Sequence, residues 1–143
     1  MEALSDKKIV DSCEKNISPW IQAIQEKQIE SRKIITDQTI INAVSALSSG
    51  KVLDIGCGEG WLVRKLSALG LSVTGIDAIE ELIIQAKQLG DGSYKVLEYE
   101  AMTVSTINEK YDIAVCNFSL LGKESVEHIF NMISAILNDN GCF

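Results

Sequence analysis

Three glycines at alternating positions follow a short apolar run, an arrangement that lets ligand atoms approach bare main chain. The apolar run is Val52–Ile55, the glycines are Gly56, Gly58 and Gly60, and a helical pattern comes after them. At the carboxyl end of a parallel strand, such a turn directs free main-chain N–H groups toward a ligand. The spacing therefore predicts a site for a nucleotide-like molecule.

A carboxylate that could complete this site comes after a second apolar run. Asp77 lies directly after Val73–Ile76, about 20 residues beyond the glycines, where an acid in this kind of sheet binds the two ribose hydroxyls. Asp77 and Glu80 also have the spacing of a capping box, in which Asp77 would only begin a helix. The two roles are compatible with each other.

The spacing of the glycines distinguishes between two kinds of nucleotide. A dinucleotide-binding turn needs a third glycine where this chain has Trp61, because helix and strand must pack closely there. Asp54, just before the turn, would repel a pyrophosphate but attract an ammonium or sulfonium ion. The pattern favours a cationic nucleoside, with a dinucleotide-binding oxidoreductase fragment as the alternative.

The elements that must position these residues alternate between strand and helix. Strands are predicted at 52–55, 72–76, 94–97 and 112–116, where β-branched and apolar residues cluster. Apolar residues at helical spacing predict helices at 62–69, 80–89 and 126–137. This alternation predicts an α/β fold with a parallel, Rossmann-like sheet and flanking helices. His128 falls on the polar side of the last helix and is expected at the surface.

The first fifty residues carry a helical pattern without strands. A helix is predicted from Trp20, and Thr36 is predicted to cap a second helix whose apolar residues share one face. We therefore expect an N-terminal helical extension at 1–50, preceding the sheet at 51–143. Trp20 could belong to a lid over the site or pack beneath the extension.

Composition and charge narrow the class of protein. The chain has 143 residues, 46% of them apolar, and a formal net charge of −7, which disfavours binding to nucleic acid. Residues 1–8 lack an apolar signal core, and no later segment is long and apolar enough to cross a bilayer, so a cytoplasmic, non-membrane protein is expected. The four cysteines lack metal-ligand or disulfide-framework spacing and are expected to be reduced thiols, with no metal site.

Three segments resemble a known family. Val52–Gly60, together with Gly75–Asp77, resembles the first two motifs of class I S-adenosylmethionine-dependent methyltransferases, in particular the small-molecule type similar to ubiquinone-biosynthesis methyltransferases. Tyr111–Asn117 resembles the fourth strand of that family. The resemblance implies S-adenosylmethionine as the cofactor and methyl transfer to a small-molecule acceptor. No residue stands out as a catalytic base.

The resemblance also implies which residues bind the cofactor. Gly56, Cys57 and Gly58 would face its methionine portion, with Asp54 behind the turn, and Asp77 would bind the ribose. Arg32 would bind the carboxylate of the cofactor, unless Arg32 is a solvated helix charge, and the main-chain carbonyl of Asn117 would accept from its amino group. The remaining implied contacts, around the adenine and the turn, are Ala78, Ile79, Glu100, Ala101, Met102 and Gly60. A non-catalytic interaction module and an aminopropyl transferase are further alternatives.

The family's strand order is 3-2-1-4-5-7-6, and the resemblance places this chain in its cofactor-binding half. Residues 51–143 would supply strands in the order 3-2-1-4, and Gly141–Phe143 would begin a fifth strand, with the C-terminal strands missing. The apolar fourth strand would then be an exposed edge, which favours pairing with another chain. The expectation is a truncated domain that forms a homodimer or swaps strands through the fourth-strand edge.

Overall fold

A computed structural model describes residues 5–47 and 50–143 of the chain. Part of the segment on which the prediction of no signal core rests, residues 1–4, lies outside the described residues. Within them, no helix combines the length and apolar character needed to cross a bilayer.

The centre of the molecule is a five-stranded parallel sheet in the order β3-β2-β1-β4-β5. The predicted order 3-2-1-4 is confirmed, and the fifth strand, which was predicted to begin at Gly141, begins at Leu137 instead. The strands are β1 (Lys51–Ile55), β2 (Ser72–Asp77), β3 (Ser93–Val96), β4 (Tyr111–Val115) and β5 (Leu137–Cys142).

Helices cover both faces of this sheet. The helices are α1 (Asp6–Lys15), α2 (Ile17–Gln25), α3 (Asp37–Leu47), α4 (Trp61–Ala68), α5 (Glu80–Leu89), α6 (Val104–Ile107) and α7 (Glu124–Ile136), with a π-helical turn at Arg32–Thr36 and a 3₁₀ turn at Tyr99–Ala101. The predicted crossover helices correspond to α4, α5 and α7.

Alternate residues of β1 belong to two hydrophobic cores. Val52 packs with residues of α3, α4 and α5, whereas Leu53 and Ile55 pack with residues of α6 and α7. Because each strand side chain points to the face opposite its neighbours, a central strand covered on both sides must be apolar along its length. Asp54 departs from this rule and is as buried as the residues around it.

The expectation that β4 forms an exposed edge of the sheet is wrong. Tyr111 and Ile113 of β4 pair with Leu137 and Cys142 of β5, with an irregular register between the two pairs. The amide of Asn138 donates a hydrogen bond to Oδ1 of Asp112 at 2.7 Å. The polar run after α7 therefore belongs to this strand, because an edge strand can leave its polar side chains in solvent.

The N-terminal segment is helical as predicted, but its boundaries differ. The second helix begins at Ile17, three residues before Trp20, and α1 was not predicted because few of its residues are apolar. Thr36 is not an N-cap. Thr36 ends a π-helical turn that runs directly into α3. The main chain before Thr36 is already helical, so no helix begins there for its side chain to cap.

Candidate ligand-binding site

The carboxyl ends of β1, β2 and β4 open into a cavity of about 720 Å³. This is where ligands bind in open parallel sheets, because the loops there can diverge without disturbing the strands. Residues of α1 and α2 also line this cavity. The cavity wall includes, among the residues predicted to form the site, Arg32, Gly56, Cys57, Gly58, Asp77, Ala78, Ile79, Glu100 and Asn117.

The glycine turn is held against the end of β2. The N–H groups of Gly56 and Cys57 both donate to the carbonyl oxygen of Ile76, at 2.8 and 2.9 Å. Gly56 has a φ of +76°, and a Cβ there would overlap the hydroxyl of Tyr99 and the side chain of Ser119. A Cβ on Gly58, at φ +57°, would meet no atom within 4 Å. The turn is thus closely packed at Gly56 and open at Gly58.

Asp77 joins the turn to the start of α5. Its Oδ2 accepts a hydrogen bond from the Gly58 N–H and its Oδ1 accepts one from the Ile79 N–H, both at 2.9 Å. The predicted capping box is not formed, because α5 begins at Glu80 with Ile79 at the N-cap position. A carboxylate has about four acceptor sites, so these two bonds leave Asp77 able to accept hydrogen bonds from a ligand.

Burial changes the acidity of two carboxyl groups beneath the turn. Desolvation is the main cause that raises the pKa of Asp77, against hydrogen bonds from Ile79, Gly58 and Ala78 that lower it. Desolvation, followed by the charge of Asp77, raises the pKa of Asp54 to about 7. The Oδ1 of Asp54 is buried without a hydrogen-bond partner in the part of the chain that the structure describes.

Asp54 lies behind the turn, and three other predicted residues also fall outside the cavity wall. Met102 is fully buried in the core on the α7 side, where Nε2 of a half-buried His128 lies 2.8 Å from its carbonyl oxygen. Ala101 is exposed in the 3₁₀ turn. Gly60 is the N-cap of α4, where a Cβ would overlap Tyr94. Gly60 is therefore required for packing, and the structure does not bring these residues to the cavity.

Arg32 is buried rather than solvated. Its side chain packs over the ring of Trp61, with 4.9 Å from the guanidinium carbon to the ring centre, and its Nε donates to Oδ1 of Asp37 at 3.1 Å. The alternative of a solvated helix charge is therefore wrong. A guanidinium has five N–H donors, so Arg32 retains donors that can bind an anionic group in the cavity.

A buried ion pair at the turn was not predicted. Glu59 is 1% exposed, and its Oε2 lies 2.6 Å from one terminal nitrogen of Arg64. The other terminal nitrogen of Arg64 donates a hydrogen bond to the main-chain carbonyl oxygen of Glu59. Within the described residues, Oε1 of Glu59 has no hydrogen-bond partner. The only signal in the sequence is an acid inside the glycine turn followed by a base on the next helix.

A second missed contact connects the end of β1 with the loops after β3 and β4. The hydroxyl of Tyr99 donates to the carbonyl oxygen of Ser119 at 2.9 Å, and the hydroxyl of Ser119 donates to the carbonyl oxygen of Ile55 at 2.5 Å. Burial raises the pKa of Tyr99 well above its usual value, so Tyr99 is a neutral donor. No sequence pattern relates Tyr99 and Ser119, since only the sheet brings their loops together.

Comparison with known proteins identifies the class that this fold and site define. Residues 52–141 match the family described as "Methyltransferase domain". The chain belongs to the class I S-adenosylmethionine-dependent methyltransferases.

The relatives and structural neighbours agree with this assignment. The chain is 35% identical over 109 residues to the ubiquinone biosynthesis O-methyltransferase of Bradyrhizobium diazoefficiens, covering 71% of this chain and 41% of that protein. It is 27% identical to PKMT2 from Rickettsia typhi in complex with AdoHcy, covering 66% of this chain and 20% of that one, with a TM-score of 0.57. It also shares its fold with the Synechocystis magnesium protoporphyrin IX methyltransferase ChlM, at 22% identity over 93% of this chain and 68% of that one, with a TM-score of 0.74.

The match covers the sheet but only part of each full-length relative. The chain spans about 41% of the Bradyrhizobium protein. The matched region includes the glycine turn and all five strands except the ends of β1 and β5. Family membership is thus established for the sheet, and the activity of the whole protein is a separate question.

Proposed function

We propose that the cavity binds S-adenosylmethionine and that the protein transfers a methyl group from it to a small-molecule acceptor. The observation that carries this proposal is that Asp77 and the glycine turn line one cavity and are hydrogen-bonded to each other. The AdoHcy bound by the Rickettsia typhi neighbour supports the choice of cofactor. A net charge of −7 favours a small acceptor over nucleic acid.

The residues of the cavity wall have suitable chemistry for each part of the cofactor. Asp77 would accept hydrogen bonds from the ribose hydroxyls, and the open main chain at Gly58 would contact the methionine portion. Arg32 would bind the carboxylate with donors that Asp37 leaves free. Ala78, Ile79 and Glu100 would surround the adenine, and the Asn117 carbonyl would accept from the amino group.

The protein's contribution to the reaction would be alignment. The bound cofactor supplies a methyl group on a positively charged sulfur. The Tyr99 and Ser119 hydrogen bonds hold the loop after β4 against the end of β1, so the wall on that side keeps a fixed distance from the turn. Fixed orientation of two reactants can contribute roughly 7–11 kcal/mol to lowering a barrier. The N-terminal helices, which we propose form a lid, would exclude water.

The location and domain organisation belong to the same proposal. We place residues 1–50 as the extension that covers the site and residues 51–143 as the cofactor-binding half. We place the protein in the cytoplasm, where the unpaired cysteines would stay reduced.

A dinucleotide is not favoured, because Trp61 packs beneath Arg32 at the position where a third glycine would be needed.

Calorimetric titration with S-adenosylhomocysteine tests the cofactor. Wild type should bind it, and Asp77→Ala should weaken binding roughly tenfold or more, since hydrogen bonds to a charged group contribute about 1.5–3 kcal/mol. Asp139→Ala is the matched control, because Asp139 is exposed on β5 and should leave affinity unchanged. No binding by wild type, or equal binding by Asp77→Ala, would contradict the proposal.

A further inference from the structure

The π-helical turn before α3 brings together two charged residues that an α-helix would keep apart. Arg32 and Asp37 are five residues apart, whereas side chains that meet on an α-helix are three or four apart. In a π-helix the main-chain hydrogen bonds join residues five apart, and here the Asp37 N–H donates to the Arg32 carbonyl oxygen. The same geometry lets Nε of Arg32 donate to Oδ1 of Asp37 at 3.1 Å.

The residues of this turn show what it is for. π-Helical turns are rare and occur frequently at functional sites. Ile34 and Ile35 of the turn are 66% and 62% exposed, so it does not serve to bury apolar side chains. The residue that it buries is Arg32, which is 9% exposed. The turn therefore places a charged side chain rather than adding to the hydrophobic core.

The indole ring of Trp61 restricts the same guanidinium from a second direction. The guanidinium carbon of Arg32 lies 4.9 Å from the ring centre, within the roughly 6 Å range of a cation–π contact. Trp61 is the first residue of α4, directly after the glycine turn. Because a guanidinium is planar, the ring fixes its plane while the Asp37 bond at Nε fixes its rotation within that plane.

The donors that remain on Arg32 are those of its two terminal nitrogens. Among the described residues, the guanidinium makes one hydrogen bond, and it does so through Nε. Two terminal nitrogens in one plane match the two oxygens of a carboxylate, which a guanidinium can bind with two parallel hydrogen bonds. Arg32 and Trp61 line the cavity and Asp37 does not, so Asp37 can influence a ligand only through Arg32.

We propose that Asp37 and Trp61 are positioning residues for Arg32, and that together they make the site select nucleosides that carry an amino-acid carboxylate over decarboxylated ones. This inference rests on the proposed function, because the ligand is taken to be the cofactor or its demethylated product. The selection would distinguish a methyl donor from the decarboxylated donor used in aminopropyl transfer, which lacks the anion that Arg32 would bind.

Calorimetric titration with two ligands isolates the contribution of the carboxylate. S-adenosylhomocysteine and its decarboxylated analogue differ only in that group, so the ratio of their dissociation constants measures the preference for it. Wild type should bind S-adenosylhomocysteine roughly tenfold or more tightly than the analogue, because hydrogen bonds between charged groups are the stronger class. Arg32→Met removes the donors and should abolish most of this preference.

Variants of the two positioning residues test their roles. Asp37→Ala and Trp61→Leu should each lower the preference roughly threefold to fivefold and leave affinity for the decarboxylated analogue unchanged. Asp37→Asn keeps an oxygen that can accept from Nε, and Trp61→Phe keeps an aromatic face, so both should restore much of the preference. A merely structural role would weaken the binding of both ligands together.

Gln38→Ala is the matched control for these variants. Gln38 lies next to Asp37 on the exposed side of α3, where it donates to Asn42, and the variant should bind both ligands as wild type does. If Trp61→Leu folds poorly, Asp37→Ala still tests the inference, because the Asp37 side chain is 32% exposed and its loss leaves no large cavity.

The outcomes separate this inference from the proposed function. If wild type binds neither ligand, the proposed function fails and the inference falls with it. If wild type binds both ligands equally, the site is a nucleoside site without the selection, and only the inference is overturned. An unchanged preference in Asp37→Ala and Trp61→Leu would also overturn it, whereas a loss of preference in both, with restoration by the conservative variants, would support it.

Discussion

The main-chain N–H of Gly58 donates a hydrogen bond to the carboxylate of Asp77, with 2.9 Å between N and Oδ2. This bond joins the loop after β1 to the end of β2. The same carboxylate holds the Ile79 N–H, so one side chain fixes both the glycine turn and the start of α5. The relative position of the two parts of the proposed nucleoside site is therefore set inside the site itself.

Substituting alanine for each of three glycines should separate the effects of backbone strain, overpacking and ligand contact. Each position has φ between +57° and +89°, where a Cβ costs roughly 1–2 kcal/mol. Gly70→Ala should show this strain alone, because a Cβ there meets no atom within 4 Å. Gly56→Ala should lose more than about 2 kcal/mol, since overpacking against Tyr99 and Ser119 adds to the strain. Urea unfolding measures the difference.

Gly58→Ala is the informative member of this series. Its Cβ also meets no protein atom, so its stability should match that of Gly70→Ala. Because Gly58 lines the cavity, its affinity for S-adenosylhomocysteine should fall while that of Gly70→Ala does not. Equal affinities for these two variants would argue that the ligand does not approach Gly58.

Asp54 should make the stability of the fold depend on pH. Its pKa is about 7 in the folded chain against an ordinary value of 3.8, so the folded state holds a proton that the unfolded state releases between these values. Stability from this group is therefore lost as pH rises from about 4 to 7, by at most about 1.4 kcal/mol per pH unit. Urea unfolding of wild type and Asp54→Asn at several pH values should show the difference.

Asp112→Asn provides the control of opposite sign. The pKa of Asp112 is lowered, first by the hydrogen bond from Asn138 and then by the Lys51 N–H, so its contribution is complete above its ordinary pKa and is lost only in acid. The difference in free energy of unfolding between wild type and Asp112→Asn should therefore stay constant between about pH 4.5 and 7.5, a range that lies above the ordinary aspartate pKa of about 3.9. If the difference in free energy of unfolding between wild type and Asp54→Asn is also constant over this range, Asp54 is ionised throughout it.

Removing either partner of the Glu59–Arg64 ion pair should lower the stability of the fold, and the two losses should differ in size. Arg64→Met leaves the fully buried Glu59 charge without compensation and should lose about 3 kcal/mol. Glu59→Gln removes the buried charge and should cost less, because Arg64 is 23% exposed and can be hydrated. Thermal and urea unfolding of both single variants and the double variant would measure this. A larger loss in Glu59→Gln than in Arg64→Met would contradict the assignment.

Removing the hydroxyl of Tyr99 should loosen the loop after β4. Tyr99→Phe leaves the Ser119 carbonyl without this donor and should cost roughly 0.5–1.5 kcal/mol. Tyr94→Phe is the matched control, since its hydroxyl donates to the Asp91 carbonyl at the surface and should cost less. Unfolding by urea measures both, and equal losses would mean that the Tyr99 bond has no special role in the buried site.

Much of the sheet was predictable because strand and helix periods are local. Apolar runs at β1, β2 and β4 and apolar faces at α4 and α5 depend only on which side chains must be buried. The order of β1 to β4 came from the family resemblance. A fifth strand was predicted from Gly141, but β5 begins at Leu137. Its start was misplaced because the polar side chains of Asn138, Asp139 and Asn140 resemble a turn, and only the unpaired main chain of β4 makes a strand there favourable.

The residues of the site divide in the same way. The sequence by itself determined the glycine turn and Asp77, because tight turns and terminal acids are specified by residue type and spacing. Tertiary structure alone decided that Arg32 packs on Trp61, that Glu59 pairs with Arg64, and that Met102 belongs to the core. These contacts depend on distances between elements that are remote in the chain, and no local pattern encodes those distances.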